Sequence, residues 1–204
     1  MTNSIQRYSL KERICHWTNG LVYCYCLATG LSLYTPHLFW IAFALGGGGT
    51  SRFWHPIIGV VFAIALLWMW SMWSADLRIE DRDREWLTKA GSYAENRDSE
   101  VPPQGRFNAG QKIFFLAMLC GMVGLLLSGV VLWFPEYVPA GARWLRGIAI
   151  LVHEAAALIT IGAFIVHVYM SVFVVPGSMT AMVFGHVSRA WARAHHRLWA
   201  DQQR

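Results

Sequence analysis

Four long apolar stretches alternate with polar, charge-bearing segments, at 14–34, 55–73, 113–134 and 148–175. Each is close to the length of about 17 to 25 residues that crosses a bilayer as a helix, and the last exceeds it, so it is predicted to tilt or to run past the hydrocarbon. The third, IFFLAMLCGMVGLLLSGVVLWF, carries no charge. The first is the most dilute, because Thr18, Asn19, Cys24, Cys26, Thr29 and Ser32 interrupt it. The pattern predicts an all-α membrane protein of four transmembrane helices, forming one domain over 1–204 with a basic tail over 176–204.

Composition agrees with this picture: 55% hydrophobic and 14% charged residues in a chain of 204 exceed what one soluble core of that size buries. The N-terminal MTNSIQRYSLKER lacks the apolar core and cleavage site of a signal peptide, so the first span is expected to insert uncleaved. Basic residues set the orientation. Of the 17 Lys and Arg, 14 lie in the N-terminal arm, the segment between spans two and three, and the tail from Arg189 to Arg204; only Arg52, Arg143 and Arg146 lie in the other connections. The positive-inside rule therefore puts both termini and the middle segment in the cytoplasm. The basic face suits anionic lipid headgroups better than nucleic acid.

Ionisable groups inside a membrane are costly and need a reason. His16, His55, His153 and His167 lie in or at the mouths of the four spans. Spans two and four run the same way, so His55 and His153, each near the start of its span, share a depth by the outer face. His167 follows His153 by 14 residues. On a helix that is about 21 Å further along and about 40° around, so it faces the same way near the inner leaflet. His16 enters from the cytoplasmic side and reaches that inner depth. Two depth-matched pairs result, one above the other.

Neutral imidazole is an axial ligand of haem iron, and four-helix bundles build cofactor sites from side chains on facing helices. Small residues, Gly20, Gly59, Ala157 and Ser171, follow one turn after each histidine and leave room for a flat macrocycle. With no CxxCH, the haem is expected to be held non-covalently. Cys15, Cys24, Cys26 and Cys120 show no zinc-type pairing, and the CxC at 24 and 26 reads as packing. A single intramembrane histidine can equally be a hydrogen-bonding group between helices; four at two depths argue for a cofactor. Pro56 after His55 is an ordinary helix-start residue. His37 in the outer loop and His186, His195 and His196 in the tail read as interfacial.

With these residues in view the chain resembles the gamma subunit of membrane-bound respiratory formate dehydrogenase, a di-haem cytochrome b, within a wider group that includes b-type cytochromes of nickel-iron hydrogenases. The likeness runs nearly end to end: ERICHW at 12–17, HPIIG at 55–59, GRFNAGQK at 105–112, LLSGVVLW at 126–133, HEAAALI at 153–159, HVYMSV at 167–172, PGSMTAM at 176–182 and RAWARAHHRLW at 189–199. The resemblance implies an outer haem b on His55 and His153 and an inner one on His16 and His167. It also implies quinone binding by Asn108, Gly110 and Gln111 beside His167. The implied partners are an iron–sulfur beta subunit and a molybdopterin alpha subunit that oxidises formate outside the bacterial inner membrane, with no formate-oxidising site in this chain. Electrons would pass from outer to inner haem and on to quinone, with proton uptake from the cytoplasm. Glu154 departs from the family pattern, which has a small residue there. It is expected to reach water or a partner, or to tune the outer haem.

Asn108 and Gln111 also read as a capping box at the start of span three. The tail, with Arg189, Arg193 and Arg197 at four-residue intervals and Trp191 and Trp199 at eight, is predicted to be a helix on the inner membrane surface. The middle segment, Asp76 to Phe107, alternates charges and is predicted to be solvated and partly helical. No internal repeat is evident. Alternative functions are a cytochrome b of a hydrogenase or related oxidoreductase, or a haem-free membrane anchor.

Overall fold

The structure is a computed structural model and describes residues 4–203, so Arg204, the last residue of the basic tail, lies outside the described residues. Among the described residues ten α-helices follow in order: α1 Leu10–Tyr34, α2 Trp40–Ala44, α3 Gly48–Trp73, α4 Asp81–Thr88, α5 Ala90–Ala94, α6 Ala109–Trp133, α7 Trp144–Tyr169, α8 Ser178–Phe184, α9 Arg189–His195 and α10 Arg197–Gln202. Two short strands, β1 Ser4–Gln6 and β2 His186–Ser188, pair antiparallel with Ile5 opposite Val187. The all-α expectation is thus amended by one small ribbon.

Among the described residues three helices are long and apolar enough to cross a membrane: α3, α6, and α7 together with its extension to Val174. α1 has comparable length but carries the polar residues that dilute it. Each long helix begins before its apolar stretch does, because capping starts a helix where hydrophobicity has not yet begun. At α1, Ser9 and Glu12 form a capping box, with the Ser9 N–H on Glu12 Oε2 at 2.8 Å and the Glu12 N–H on Ser9 Oγ at 3.3 Å. At α6 the predicted box is realised: Gln111 N–H reaches Asn108 Oδ1 at 2.9 Å and Asn108 N–H reaches Gln111 Oε1 at 3.0 Å. α3 starts at Gly48, after the left-handed Gly46 and Gly47, so Pro56 lies inside the helix instead of opening it. It withholds one intrahelical hydrogen bond in the turn that carries His55.

The chain divides into two compact units. One comprises 15–69 and 117–162, and in it four long helical segments pack pairwise. α1 meets α3 through Tyr23 and Phe62, with ring centres 5.5 Å apart, and through Cys15 Sγ on the Ala65 carbonyl at 3.5 Å. α6 meets α7 where glycines permit close approach: a Cβ at Gly121 would overlap Thr160, and one at Gly124 would stand 3.2 Å from Ala156.

The other unit comprises the chain up to Ile14, Trp70–Leu116 and the chain from Ala163 onward. Here the middle segment is not simply solvated: Trp86 and Tyr93 are buried in a core with Ala109, Val174 and Val175. Asp83 and Lys112, both buried, pair at 2.8 Å. The tail is not one surface helix either. It breaks at His196 and turns Trp199 inward, while Trp191 donates to the Pro176 carbonyl at 2.8 Å. Its aromatic face finds Arg7, whose guanidinium lies 5.2 Å from the Trp191 ring and 5.1 Å from the Trp199 ring. Arg189, Arg193 and Arg197 stay exposed on the opposite side. Gly185, at φ +86°, makes the turn before β2, and its carbonyl accepts from the N–H groups of Arg7 and Tyr8.

Candidate functional site

In the four-segment unit, α3 and α7 bring His55 and His153 together, with ring centres 6.2 Å apart and planes inclined by 59°. Both rings are half-buried. Each is held at Nδ1 by a hydroxyl from the helix beside it: Thr29 Oγ1 of α1 lies 2.8 Å from His55 Nδ1, and Ser128 Oγ of α6 lies 2.9 Å from His153 Nδ1. The residue after each hydroxyl is glycine. A Cβ at Gly30 would press on His55 Cε1 at 3.3 Å, and one at Gly129 would meet His153 Cε1 at 3.5 Å.

Among the described residues no three His, Cys, Asp or Glu side chains converge as ligands for a bare ion. Two imidazoles suit a metal whose other ligands come from a macrocycle. Axial imidazoles bonded to one iron at about 2 Å each place their ring centres about 6 Å apart, which is the separation of His55 and His153. There is also room beside the helices, since a Cβ added at Gly59 or at Gly20 meets nothing within 4 Å. The residues therefore fit a haem. Among the described residues no disulfide is formed, and Cys26 Sγ contacts the His55 carbonyl at 3.8 Å, in keeping with packing and not redox chemistry.

The other two histidines fall in different units. His16 is half-buried and edge-on to Trp17, with ring centres 5.3 Å apart. His167, in the other unit, stacks on Phe114 at 4.2 Å with planes 10° apart, and α7 passes into a π turn, Met170–Val174, just beyond it. Such π turns recur at functional sites.

Asn108, Gly110 and Gln111 sit at the α6 start. Asn108 is buried, caps the helix and hydrogen-bonds the Tyr93 hydroxyl through its side chain. Gly110 lies under Trp86, whose ring a Cβ would meet at 3.2 Å. Gln111 is half-buried; its oxygen serves the cap and its amide nitrogen has no partner among the described residues. Burial, and then the neighbouring Asp98 carboxylate, push the Tyr93 hydroxyl up to about 12, so it remains a neutral hydrogen-bonding group.

Sequence reasoning missed Thr29, Gly30, Ser128 and Gly129, reading Thr29 only as a polar interruption. A signal was present: TGLSLY at 29–34 and SGVVLW at 128–133 end α1 and α6 in parallel fashion, each hydroxyl–glycine pair serving one histidine. It also missed Glu12, whose carboxylate accepts from Ser9, Trp73 Nε1 at 2.6 Å and Arg106 at 2.5 Å. Burial pushes Glu12 up, yet these donors outweigh it and hold the carboxyl below its usual range. Glu154 is half-buried beside His153.

Residues 7–185 match the sequence model of prokaryotic cytochrome b561. The chain belongs to that family. A cytochrome b556 subunit of nitrate-inducible formate dehydrogenase from Escherichia coli is 32% identical over 195 residues, spanning 96% of this chain and 89% of the relative. A second E. coli formate dehydrogenase cytochrome b556 subunit is 34% identical over 203 residues, 99% of this chain and 94% of the relative. The formate dehydrogenase cytochrome b556 subunit of Haemophilus influenzae is 29% identical over 199 residues. Family membership and the apolar helices make this chain a membrane-embedded electron-transfer protein that binds haem b.

Proposed function

We propose that this chain is the cytochrome b subunit of a membrane-bound formate dehydrogenase. It crosses the bacterial inner membrane four times, with both termini and the middle segment in the cytoplasm, and works with an iron–sulfur beta subunit and a molybdopterin alpha subunit. It holds two haems b, the outer on His55 and His153 and the inner on His16 and His167. The observation that carries the reading is the His55–His153 pair, spaced for one iron and hydroxyl-anchored on both sides. Full-length likeness to formate dehydrogenase cytochrome subunits supports the choice of complex.

Bound haem supplies reversible one-electron exchange between the iron–sulfur partner and a quinone. The chain's own residues fix imidazole orientation, exclude water from the outer pair and present polar groups to the quinone. Asn108, Gly110 and Gln111 form the quinone site in this reading. Because Asn108 is occupied by the cap and Tyr93, and Gly110 lies under Trp86, the Gln111 amide nitrogen is the donor assigned to a quinone carbonyl. Phe114 holds the His167 ring beside it.

Haem stoichiometry tests the assignment. In the purified complex, His55→Ala or His153→Ala should halve the haem b per chain and remove the outer component from redox titrations, while His16→Ala or His167→Ala removes the inner one. Immunoblotting of membranes controls for insertion, since a bundle can be destabilised by loss of its cofactor. A correctly inserted His153→Ala protein that keeps both haems would overturn the pairing.

A further inference from the structure

Thr29 Oγ1 lies 2.8 Å from the Tyr25 carbonyl and 3.1 Å from the Cys26 carbonyl, one turn back along its own helix. Ser128 Oγ lies 2.5 Å from the Gly124 carbonyl and 3.3 Å from the Leu125 carbonyl. A hydroxyl has one hydrogen. With that hydrogen on a backbone carbonyl, as the distances allow in both cases, the oxygen accepts from the imidazole. His55 and His153 then carry their hydrogen on Nδ1, on the side where the backbone of Cys26 and of Leu125 also hydrogen-bonds the two imidazoles, and leave the Nε2 lone pair for a metal. Thr29 is fully buried and Ser128 is 5% exposed, so water does not compete for either oxygen.

We propose that Thr29 and Ser128 are the positioning residues of the outer haem: each fixes the tautomer and ring plane of one axial histidine and sets the electron donation of that histidine to iron. An Nδ1–H held by an acceptor makes Nε2 a stronger donor, which favours the ferric state and lowers the reduction potential. The two anchors are equivalent, Thr29–Gly30 on α1 serving His55 and Ser128–Gly129 on α6 serving His153, so their effects should be similar and should add. The following glycine lets the anchoring helix approach the ring: at Gly30 a Cβ would crowd His55 at 3.3 Å. The proposal rests on the assignment of His55 and His153 to one haem.

The test is optical redox titration of the complex in membranes, with the low-spin ferric haem followed by electron paramagnetic resonance. Thr29→Val keeps the shape and removes the hydroxyl acceptor, leaving His55 only the Cys26 backbone; Ser128→Ala does the same on the other side, leaving His153 the Leu125 backbone. Each should leave haem content unchanged, raise the potential of one component by roughly tenfold in its reduction equilibrium, about 59 mV for one electron, and leave the other component in place. Thr29→Ser and Ser128→Thr should restore the wild-type value. Unmoved potentials and spectra in both Val and Ala variants would overturn the proposal, as would equal shifts in Thr29→Val and Thr29→Ser. If Thr29→Val fails to accumulate, Ser128→Ala alone decides. A separate measurement tests the underlying assignment: if His153→Ala retains both haems, the haem pairing is wrong, whereas loss of one haem there with unmoved potentials in the hydroxyl variants rejects the anchoring role alone.

Discussion

His55 and His196 are held alike at Nδ1 and differ at Nε2. The Gly105 carbonyl takes the Nδ1 hydrogen of His196 at 2.9 Å, and Arg7 donates to its Nε2 at 2.9 Å, so both ring nitrogens are spent on protein. Burial, with the Arg7 cation beside it, holds His196 well below its usual range, and the ring is neutral. In the proposed reading His55 has the same hydrogen on the same nitrogen, toward Thr29, and its Nε2 is left for iron. One imidazole is a structural crosslink and the other, in the proposed assignment, is a haem ligand with its tautomer already chosen. Burial alone does not separate them; the count of unspent atoms does.

The same contrast divides the buried carboxylates from the outer pair. Glu12 uses both oxygens on Ser9, Trp73 and Arg106, and is therefore a crosslink. Removing it strands the Trp73 N–H and leaves Arg106 with Asp76 and the Arg7 carbonyl. Glu12→Ala should destabilise the protein by about 3 kcal/mol, the cost of breaking a largely buried charge pair, seen as a lower melting temperature of the detergent-solubilised complex. The outer-haem component should persist in whatever protein remains folded. An unchanged melting temperature with selective loss of the outer haem would break the comparison.

Gln111 sharpens it, because it has one atom in each category. Its oxygen caps α6 and its amide nitrogen is unspent. Gln111→Glu keeps the cap, since Glu serves that position as well, and deletes only the donor. Haem content and reduction by formate should stay normal while reoxidation by quinone slows roughly tenfold, as expected for one lost hydrogen bond of about 1.4 kcal/mol. Asn108→Asp, at a residue already occupied by the cap and Tyr93, should have the smaller effect. Normal reoxidation in both variants would reduce this motif to a helix start and send the quinone elsewhere.

How much of this was legible in the sequence depends on how far each relation reaches. The apolar stretches, the spacing that pairs His55 with His153, and the Asn108–Gln111 box are relations within one helix or between helices of known direction, and pattern alone exposes them. Helix starts at Leu10 and Gly48 were not legible, because the apolar edge lies inside each helix while Ser9 and the Gly46–Gly47 turn set the boundary. Thr29 and Ser128 were hidden because a hydroxyl in a span can satisfy itself on its own helix; only the packing of α1 against α3 and of α6 against α7 brings each within hydrogen-bond distance of a histidine. Arg7 and His196 stand 189 positions apart. No local pattern connects them, and so the tail read as a lipid-facing helix when its aromatic side is folded onto the N-terminal arm.

The smallest expected effect comes from titrating the crosslink itself. His196 has an ordinary value of 6.5 and is held well below it in the folded chain, chiefly by burial and then by Arg7. A group depressed in this way binds fewer protons folded than unfolded. Its packing is therefore fully stable above about pH 6.5 and weakens as pH falls through that value, when the unfolded tail gains a proton that the folded one refuses. His195, depressed by burial although Asp98 opposes the shift, acts in the same direction. Limited trypsin digestion of the membrane-bound complex at a series of pH values should show the exposed Arg193 and Arg197 becoming easier to cut between pH 7.5 and 5.5, after correction for trypsin's own pH dependence on an unfolded peptide. His196→Asn should flatten most of that dependence, leaving the part due to His195. Cleavage that stays pH-independent in the unaltered protein would mean the ring is not the neutral, doubly bonded crosslink that distinguishes it from His55.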